Sequence, residues 1–459
     1  MSNGSYNQSM EIPTSKPQNP KAGLFTLVVW ISRVVCGLCL GFGILLSACA
    51  SAPSTVTPTT APVSGVTATP TSVLANSTPV PFATPDASAQ TLRLWLPPQF
   101  APSADTPGGK VLLAQLAAFE EAKGWRVEVR VKKPAGQGGL IDALQSSLQV
   151  APSVSPDVIA LDSSMLPAAA GSVQPLTQIT DGEVIDFYPF ALQTARLNNT
   201  LIALPFAADV LGMAYSTTAY PLPPASWTDL KPENGPTWLP LGDPMALVTL
   251  QQYVALGGAL ADDTGQPTLD ASLLAQVLSD YQSMQIAGLL PVESFGSMTI
   301  EETWVTYRES RASAAAAFFG TYLSDRRRMA ATAFTFIPTR NGARATFARQ
   351  WNYALVTDDP ARQAIALELM RWLTAPDNLG AWTLASAVLP PRSQALAMWR
   401  DTSLAAVADP LLKAAQPEPP QSVIVVVGPP VATAVQAVLN GQATPEAAAA
   451  AAAATVAGR

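Results

Sequence analysis

The fold is decided by three apolar runs: TLRLWL at 91–96, RVEVRVK at 126–132 and DVIAL at 157–161. Prolines follow the first run, and strict alternation of apolar and charged residues marks the second as a strand. Between the runs, residues 110–122 and 140–150 place apolar side chains at helical spacing. The order strand, helix, strand, helix, strand predicts right-handed βαβ units and a mainly parallel sheet.

The rest of the chain favours helices. Residues 247–290 are mostly helical in pattern. Further elements are predicted as strands at 314–319, 335–337 and 353–357 and as helices at 360–374 and 376–385. This order predicts a second, helix-rich domain and a chain that crosses between the two domains more than once.

Composition limits the chemistry of the chain. Of its 459 residues, 48% are hydrophobic and 13% charged, which is a globular balance. The sequence contains no histidine, which excludes Ser-His-Asp and Cys-His catalytic groups and any histidine-ligated metal site. A net charge of −7 argues against a nucleic-acid partner, and the three cysteines all lie near the N-terminus. We expect no metal, no cofactor and no disulfide framework.

The N-terminus has the order of an export signal. Basic residues precede the apolar run VVCGLCLGFGILL at 34–46, and small residues follow it. The segment LSAC at 46–49 resembles a bacterial lipobox, so we predict removal of residues 1–48 and lipidation of Cys49. The alternative is a permanent membrane helix over 24–46, which would bury Arg33 at a cost of about 2.5 to 3.5 kcal/mol. Both interpretations leave the body of the chain outside the cytoplasm.

Residues 49–90 are predicted to be the lipidated cysteine and a disordered tether. Ser, Thr, Pro, Ala and Val make up nearly all of this stretch, and Asp86 is its single charge. Such a segment cannot bury enough apolar surface to offset its ordering entropy. A chain of this length reaches roughly 35 Å, so the body at 91–459 would remain near the membrane.

Several segments of the body resemble the extracellular solute-binding proteins of ABC importers, specifically the carbohydrate-type group, family 1. PDVIALDSSML at 156–166 is similar to the family's third strand and the loop after it. LPFAADVLGMAY at 204–215 is similar to the strand that enters the second domain, and PPASWTDL at 223–230 to a Pro-x-x-Trp-x-x-Leu helix start. LPPRSQAL at 389–396 is similar to a Leu-Pro-x-Arg turn. VGPPVATAVQAVLNGQATPEAAAAAAAA at 427–454 is similar to the family's closing helices, so these segments follow the family's order along nearly all of the body.

The resemblance implies an α/β, two-lobed periplasmic-binding-protein-like fold, with mixed sheets flanked by helices and a hinge between the lobes. Lobe 1 is expected at about 91–206 plus part of 312–355, and lobe 2 at about 207–311 plus most of 356–459. The implied function is capture of a small solute, a sugar or oligosaccharide, in the cleft between the lobes and its delivery to ABC permease subunits. The protein would be a monomer without enzymatic activity, lipid-anchored on the extracellular face of the cytoplasmic membrane in the cell envelope.

The polar candidates for solute contact lie near strand ends, where α/β sheets open their crevices. Asp162 and Ser163 follow the third strand, although Asp162 suits a helix cap equally well. Asp209 lies between apolar residues of the crossing strand, where an unpartnered carboxylate is costly to bury. Arg392 either points into the cleft or pairs with a surface carboxylate, and the ion pair is favoured.

The aromatic candidates would stack on the apolar C–H groups of a sugar ring. Trp351 is the favoured stacking residue, with hinge packing as its alternative. Tyr322 and Phe206 are further candidates that the resemblance implies, and Tyr322 suits core packing nearly as well. In this chain Arg349 and Gln350 stand where sugar binders of the family often have two glycines.

Two other functions are compatible with the residues. One is a secreted carbohydrate-active hydrolase that uses Asp162 and Asp209 as paired carboxylates, although the sequence supplies no motif spacing for such a pair. The other is a surface protein that binds a partner without transport.

Overall fold

The computed structural model describes residues 90–458. The predictions for the signal peptide at 1–48, for Cys49 and for the tether up to residue 89 lie outside the described residues.

The described residues form eleven strands: β1 (Thr91–Leu96), β2 (Arg126–Val131), β3 (Val158–Asp162), β4 (Arg196–Leu197), β5 (Thr200–Leu201), β6 (Ala203–Ser216), β7 (Thr237–Trp238), β8 (Ala314–Phe318), β9 (Thr332–Thr335), β10 (Thr346–Leu355) and β11 (Ala415–Pro417). They also form fifteen α-helices: α1 (Pro107–Lys123), α2 (Leu140–Val150), α3 (Leu166–Ala169), α4 (Asp181–Val184), α5 (Pro189–Thr194), α6 (Leu247–Ala255), α7 (Ala271–Ile286), α8 (Ile300–Arg308), α9 (Phe319–Asp325), α10 (Pro360–Thr374), α11 (Pro376–Ala385), α12 (Ser393–Ala397), α13 (Thr402–Ala414), α14 (Gln421–Leu439) and α15 (Pro445–Ala457).

The predicted βαβαβ unit is present. Strands β2 and β3 both pair in parallel with β1, with α1 and α2 as the crossover helices. Helix α1 begins at a cap, where the Thr106 hydroxyl accepts a hydrogen bond from the Gly109 N–H. It ends at Gly124, whose φ of 70° is the left-handed conformation that glycine adopts without strain.

The main sheet is mixed, with the strand order β2-β1-β3-β10-β6-β8-β7. Strand β10 runs antiparallel to both β3 and β6, so it joins the parallel βαβαβ unit to the rest of the sheet. Strand β11 pairs with the start of β10, and β9 pairs with the end of β6. Strands β4 and β5 form a separate two-stranded sheet.

Two strands differ from their predicted bounds. Strand β10 begins seven residues before the predicted residue 353, because polar side chains interrupt the apolar run that sequence reasoning relies on. Strand β9 lies at Thr332–Thr335 instead of 335–337, because its pairing with Met213 to Ser216 of β6 sets its position.

Separate hydrophobic cores lie along the two halves of the sheet. The first core joins β1 and β3 to helices α1, α10 and α11. The second core joins the later part of β6 to helices α6, α7, α14 and α15. The lobe boundaries stay a prediction. In any such division, however, helices α10 and α11 go with the first half, because they share its core, rather than with the second lobe as the sequence suggested.

Within the described residues, α14 is the one helix long and apolar enough to cross a membrane, with a mean hydropathy of 1.9. Half of this helix is buried in the body, and Val427, Val431 and Val435 lie in the second core. Its apolar character is therefore accounted for by packing.

Candidate functional site

A polar gap separates the two cores on one face of the crossing strands. Alternate residues of a strand share a face, so Phe347, Arg349 and Trp351 of β10 lie on the same side. Phe347 belongs to the second core, and Trp351 packs against the first. Arg349 therefore lies between the cores, where no apolar side chain of β10 fills the face.

Three charged side chains from three neighbouring strands meet in this gap. Asp209 of β6 is the register partner of Arg349 of β10. Glu418 directly follows β11, and its backbone N–H donates to the carbonyl of Ala348. The order across the sheet is therefore carboxylate, guanidinium, carboxylate, and we call these residues the Asp209–Arg349–Glu418 row.

Arg349 is held by two contacts. Its Nε donates to Oε1 of Glu418 at 2.8 Å. Its Cζ lies 3.8 Å from the centroid of the Phe318 ring, a cation–π contact. The two contacts fix the plane of the guanidinium.

Further carboxylates surround the Asp209–Arg349–Glu418 row. Burial raises the pKa of Glu418, Arg349 opposes the rise, and the carboxylates of Asp162 and Asp243 add to it. Asp243 precedes α6, and its two carboxylate oxygens accept from the N–H groups of Met245 and Leu247. Four carboxylates thus act electrostatically on a site that holds one guanidinium.

Asp209 lies at the N-terminus of α9. Its Oδ1 accepts from the Gly320 N–H at 2.8 Å, and burial raises the pKa of its carboxyl to about 7 against this hydrogen bond. A Cβ on residue 320 would lie 2.6 Å from the carbonyl oxygen of Ala387 and 2.9 Å from Oδ2 of Asp209, so only glycine permits this approach. Asp209 also lines a cavity of about 380 Å³ between α8 and α9.

Asp162 and Ser163 lie at the end of β3, as predicted. Asp162 is the register partner of Trp351, and its Oδ1 accepts from the Ser164 N–H as a cap. The Ser163 hydroxyl donates to the carbonyl of Gln350. Both residues are partly exposed beside β10.

Trp351 is partly exposed at the edge of the gap. Its ring meets Phe100 edge to face, with the centroids 5.3 Å apart. Trp351 thus makes a packing contact, which was the alternative prediction for it, and part of its surface remains accessible.

Phe206 is placed differently from the prediction. Its side chain is 0% exposed, and its ring stacks on Tyr353 with the centroids 4.0 Å apart. A bulge lies in the pairing of β6 with β10 at this point. Phe206 therefore packs in the first core in this structure and presents no surface to a solute.

Tyr322 is not brought to the gap. Its ring packs against Phe319 and Phe334 in a third core, with the centroids 5.7 and 5.4 Å away. Phe334 lies against Gly212, whose position in β6 faces away from the Asp209 side. In this structure the residue serves core packing, which was its alternative interpretation.

Arg392 forms the ion pair that was favoured for it. Its Nε and Nη2 donate to the two carboxylate oxygens of Asp186 at 2.9 and 2.6 Å, and its Nη1 donates to the carbonyl of Thr374. The side chains of Arg392 and Asp186 are 12% and 7% exposed, so this is a nearly buried pair rather than a surface one.

Sequence reasoning missed Arg349, Glu418 and Asp243 as members of the site. The available signals were that Arg349 is the one charged residue of the segment 346–355 and that it stands where the resemblance implies a glycine. No cluster of potential metal ligands occurs among residues 90–458.

Comparison with known protein families matches residues 114–445 to the family described as bacterial extracellular solute-binding protein. No curated protein sequence matches the chain.

Solved structures with a similar fold include a cyclo/maltodextrin-binding protein complexed with maltotetraose, at 19% identity and a TM-score of 0.65 over 80% of this chain and 97% of the other. The maltose-binding periplasmic protein MalE of Listeria monocytogenes, in complex with maltose, is 14% identical and has a TM-score of 0.65 over 80% of this chain and 96% of its own. An ABC transporter solute-binding protein of Thermotoga lettingae, bound with α-D-tagatose, is 19% identical and has a TM-score of 0.58 over 80% of this chain and 98% of its own. The likeness confirms the predicted α/β, two-lobed periplasmic-binding-protein-like fold.

Proposed function

Since the chain belongs to the bacterial extracellular solute-binding protein family, whose members act in an extracellular or periplasmic location, we propose that it captures a carbohydrate and delivers it to the permease of an ABC importer. The observation that carries the proposal is the polar gap between two hydrophobic cores, crossed by β6, β10 and β11. A solute held there would contact segments from both halves of the sheet and would favour their closed arrangement, which is the form that the permease recognises.

The chemistry of the gap suits a sugar. Carboxylates accept hydrogen bonds from hydroxyl groups, a guanidinium donates to hydroxyl oxygens, and the exposed part of Trp351 offers an aromatic face. We propose Asp162, Ser163, Asp209 and Trp351 as contacts. Sugars are also the ligands named for the structures of similar fold, namely maltotetraose, maltose and tagatose.

A binding role fits the gap better than hydrolysis. A glycosidase needs two carboxyl groups about 5 to 9.5 Å apart with room for a sugar between them. The two candidates, Asp162 and Asp209, lie on β3 and β6 with β10 between them and pair with different residues of β10, so their backbones are separated by more than the roughly 9 to 10 Å between the strand axes. Each carboxylate also accepts a backbone hydrogen bond.

Thermal unfolding against a panel of sugars tests the binding function. A sugar at a hundred times its dissociation constant should stabilise the purified protein by about 2.7 kcal/mol. Amino acids and short peptides at the same concentration serve as controls and should leave the melting temperature unchanged. Stabilisation by the controls alone would contradict the carbohydrate proposal.

The lipid anchor at Cys49 is part of the same proposal, supported by the LSAC segment after an apolar run. A monomer tethered in this way would deliver its solute close to the membrane. Cys49→Ser should move the protein from the membrane fraction to the soluble fraction of cells, since the sulfur that carries the lipid is lost. A variant that remained in the membrane fraction would favour an uncleaved membrane helix.

A further inference from the structure

Arg349 has donors that the fold does not use. Only its Nε has a hydrogen-bond partner within the described residues, namely Glu418. Its Nη1 and Nη2 have none among residues 90–458, and its side chain is 38% exposed. Four N–H groups of a fixed, partly exposed guanidinium therefore have no protein acceptor among these residues.

The position of these donors is set before any solute arrives. The Phe318 ring covers one face of the guanidinium, and the ion pair with Glu418 fixes its rotation. Such preorganisation lowers the entropy that a ligand contact costs. An arginine whose only role was to neutralise Glu418 would not need four unpaired N–H groups at a partly exposed position.

The surrounding charges restrict which solutes the unpaired N–H groups of Arg349 can bind. Glu418 already pairs with Arg349, and the carboxylates of Asp162 and Asp243 act on the same place. An anionic solute would approach a site with an excess of negative charge. Two adjacent hydroxyl groups avoid this repulsion, because their oxygens accept from the guanidinium while their protons are donated to carboxylates.

We propose that Arg349 is the specificity-determining residue of the gap, and that its Nη1 and Nη2 anchor two adjacent hydroxyl oxygens of an uncharged sugar. This inference rests on the proposed carbohydrate-binding function. It names the residue and the charge class of the solute, neither of which follows from the binding function itself.

Calorimetric titration of the purified protein with maltose, maltotetraose, tagatose, glucose and glucuronate tests the inference. Every uncharged sugar that binds the native protein should bind Arg349→Met about tenfold to a hundredfold more weakly, because hydrogen bonds to a charged donor are lost. Arg349→Lys should recover part of this affinity, since it keeps the charge and loses the fork. Glucuronate should bind the native protein more weakly than glucose.

Arg344→Met is the matched control. Arg344 also lies over an aromatic ring, that of Phe336 at 5.8 Å, but it is exposed outside the gap, so its replacement should leave affinity unchanged. Circular dichroism and melting temperature check that each variant is folded. If Arg349→Met does not fold, the affinity of Arg349→Lys is compared with that of the native protein instead.

The outcomes separate this inference from the proposed function. Native binding of an uncharged sugar that Arg349→Met retains at full affinity overturns the inference alone. Tighter native binding of glucuronate than of glucose also overturns it. A native protein that binds none of the sugars overturns the proposed function and the inference together.

Discussion

Arg392 and Arg349 are built alike and used differently. Each lies over a phenylalanine ring and beside a carboxylate, Arg392 with Phe187 and Asp186, Arg349 with Phe318 and Glu418. All three nitrogens of Arg392 donate to protein oxygens, whereas Arg349 uses one. Arg392 has three of its five N–H groups engaged and is nearly buried, so its contacts serve stability. Arg349 has one engaged and is partly exposed at the gap, so it retains donors for a solute.

The sharpest test of this difference replaces each arginine by methionine and measures the free energy of unfolding in denaturant. Arg392→Met should cost about 3 to 5 kcal/mol, because Asp186 is left nearly buried without its partner. Arg349→Met should cost at most about 1 kcal/mol, because its ion pair is partly exposed. Equal losses at the two positions would break the comparison and make Arg349 a structural residue.

A smaller effect on the free energy of unfolding is expected from the carboxylates of the same two regions. Asp186 accepts hydrogen bonds from Arg392 on both oxygens, whereas Asp209 is held by the Gly320 N–H, and burial raises the pKa of Asp209 to about 7. A folded-state pKa above the unfolded value of 3.8 means that folding favours the protonated acid. The resulting stability is present in full below about pH 4 and is lost as the pH rises through 7.

Asp209→Asn removes this titration and keeps an oxygen for the Gly320 N–H. From pH 5 to pH 8 the native protein should lose roughly 1 to 3 kcal/mol of unfolding free energy relative to the variant. Denaturant unfolding of both proteins at the two pH values measures the change. A constant difference between them would mean that Asp209 ionises in the folded protein as readily as in the unfolded chain.

The sequence predicted the parts of the fold that are encoded locally. Helices α2, α10 and α11 and strand β1 have their predicted bounds, because prolines, a glycine cap or clear apolar periodicity mark them. Strand β10 was predicted too short, since Arg349, Gln350 and Asn352 interrupt its apolar pattern. These polar residues are the ones that the gap and the buried face behind it require.

The site was less predictable than the fold for a topological reason. Asp209, Arg349 and Glu418 are far apart in the chain and meet only because β11 and β6 flank β10. No local pattern specifies that register. Phe206 was misplaced for a related reason: a bulge next to it turns a residue of the crossing strand into the core, and bulges leave no reliable mark in a single sequence.

The insertion of β10 between β3 and β6 has a consequence for the order of synthesis. Strands β1 to β3 and β6 emerge first, but the space between β3 and β6 is filled only by residues 346–355. Until then both strands have an unpaired edge, and helices α10 and α11 of the first core have not been made. The N-terminal half therefore cannot complete its folding until residues 346–385 have been made, and until then the open edges of β3 and β6 can pair wrongly.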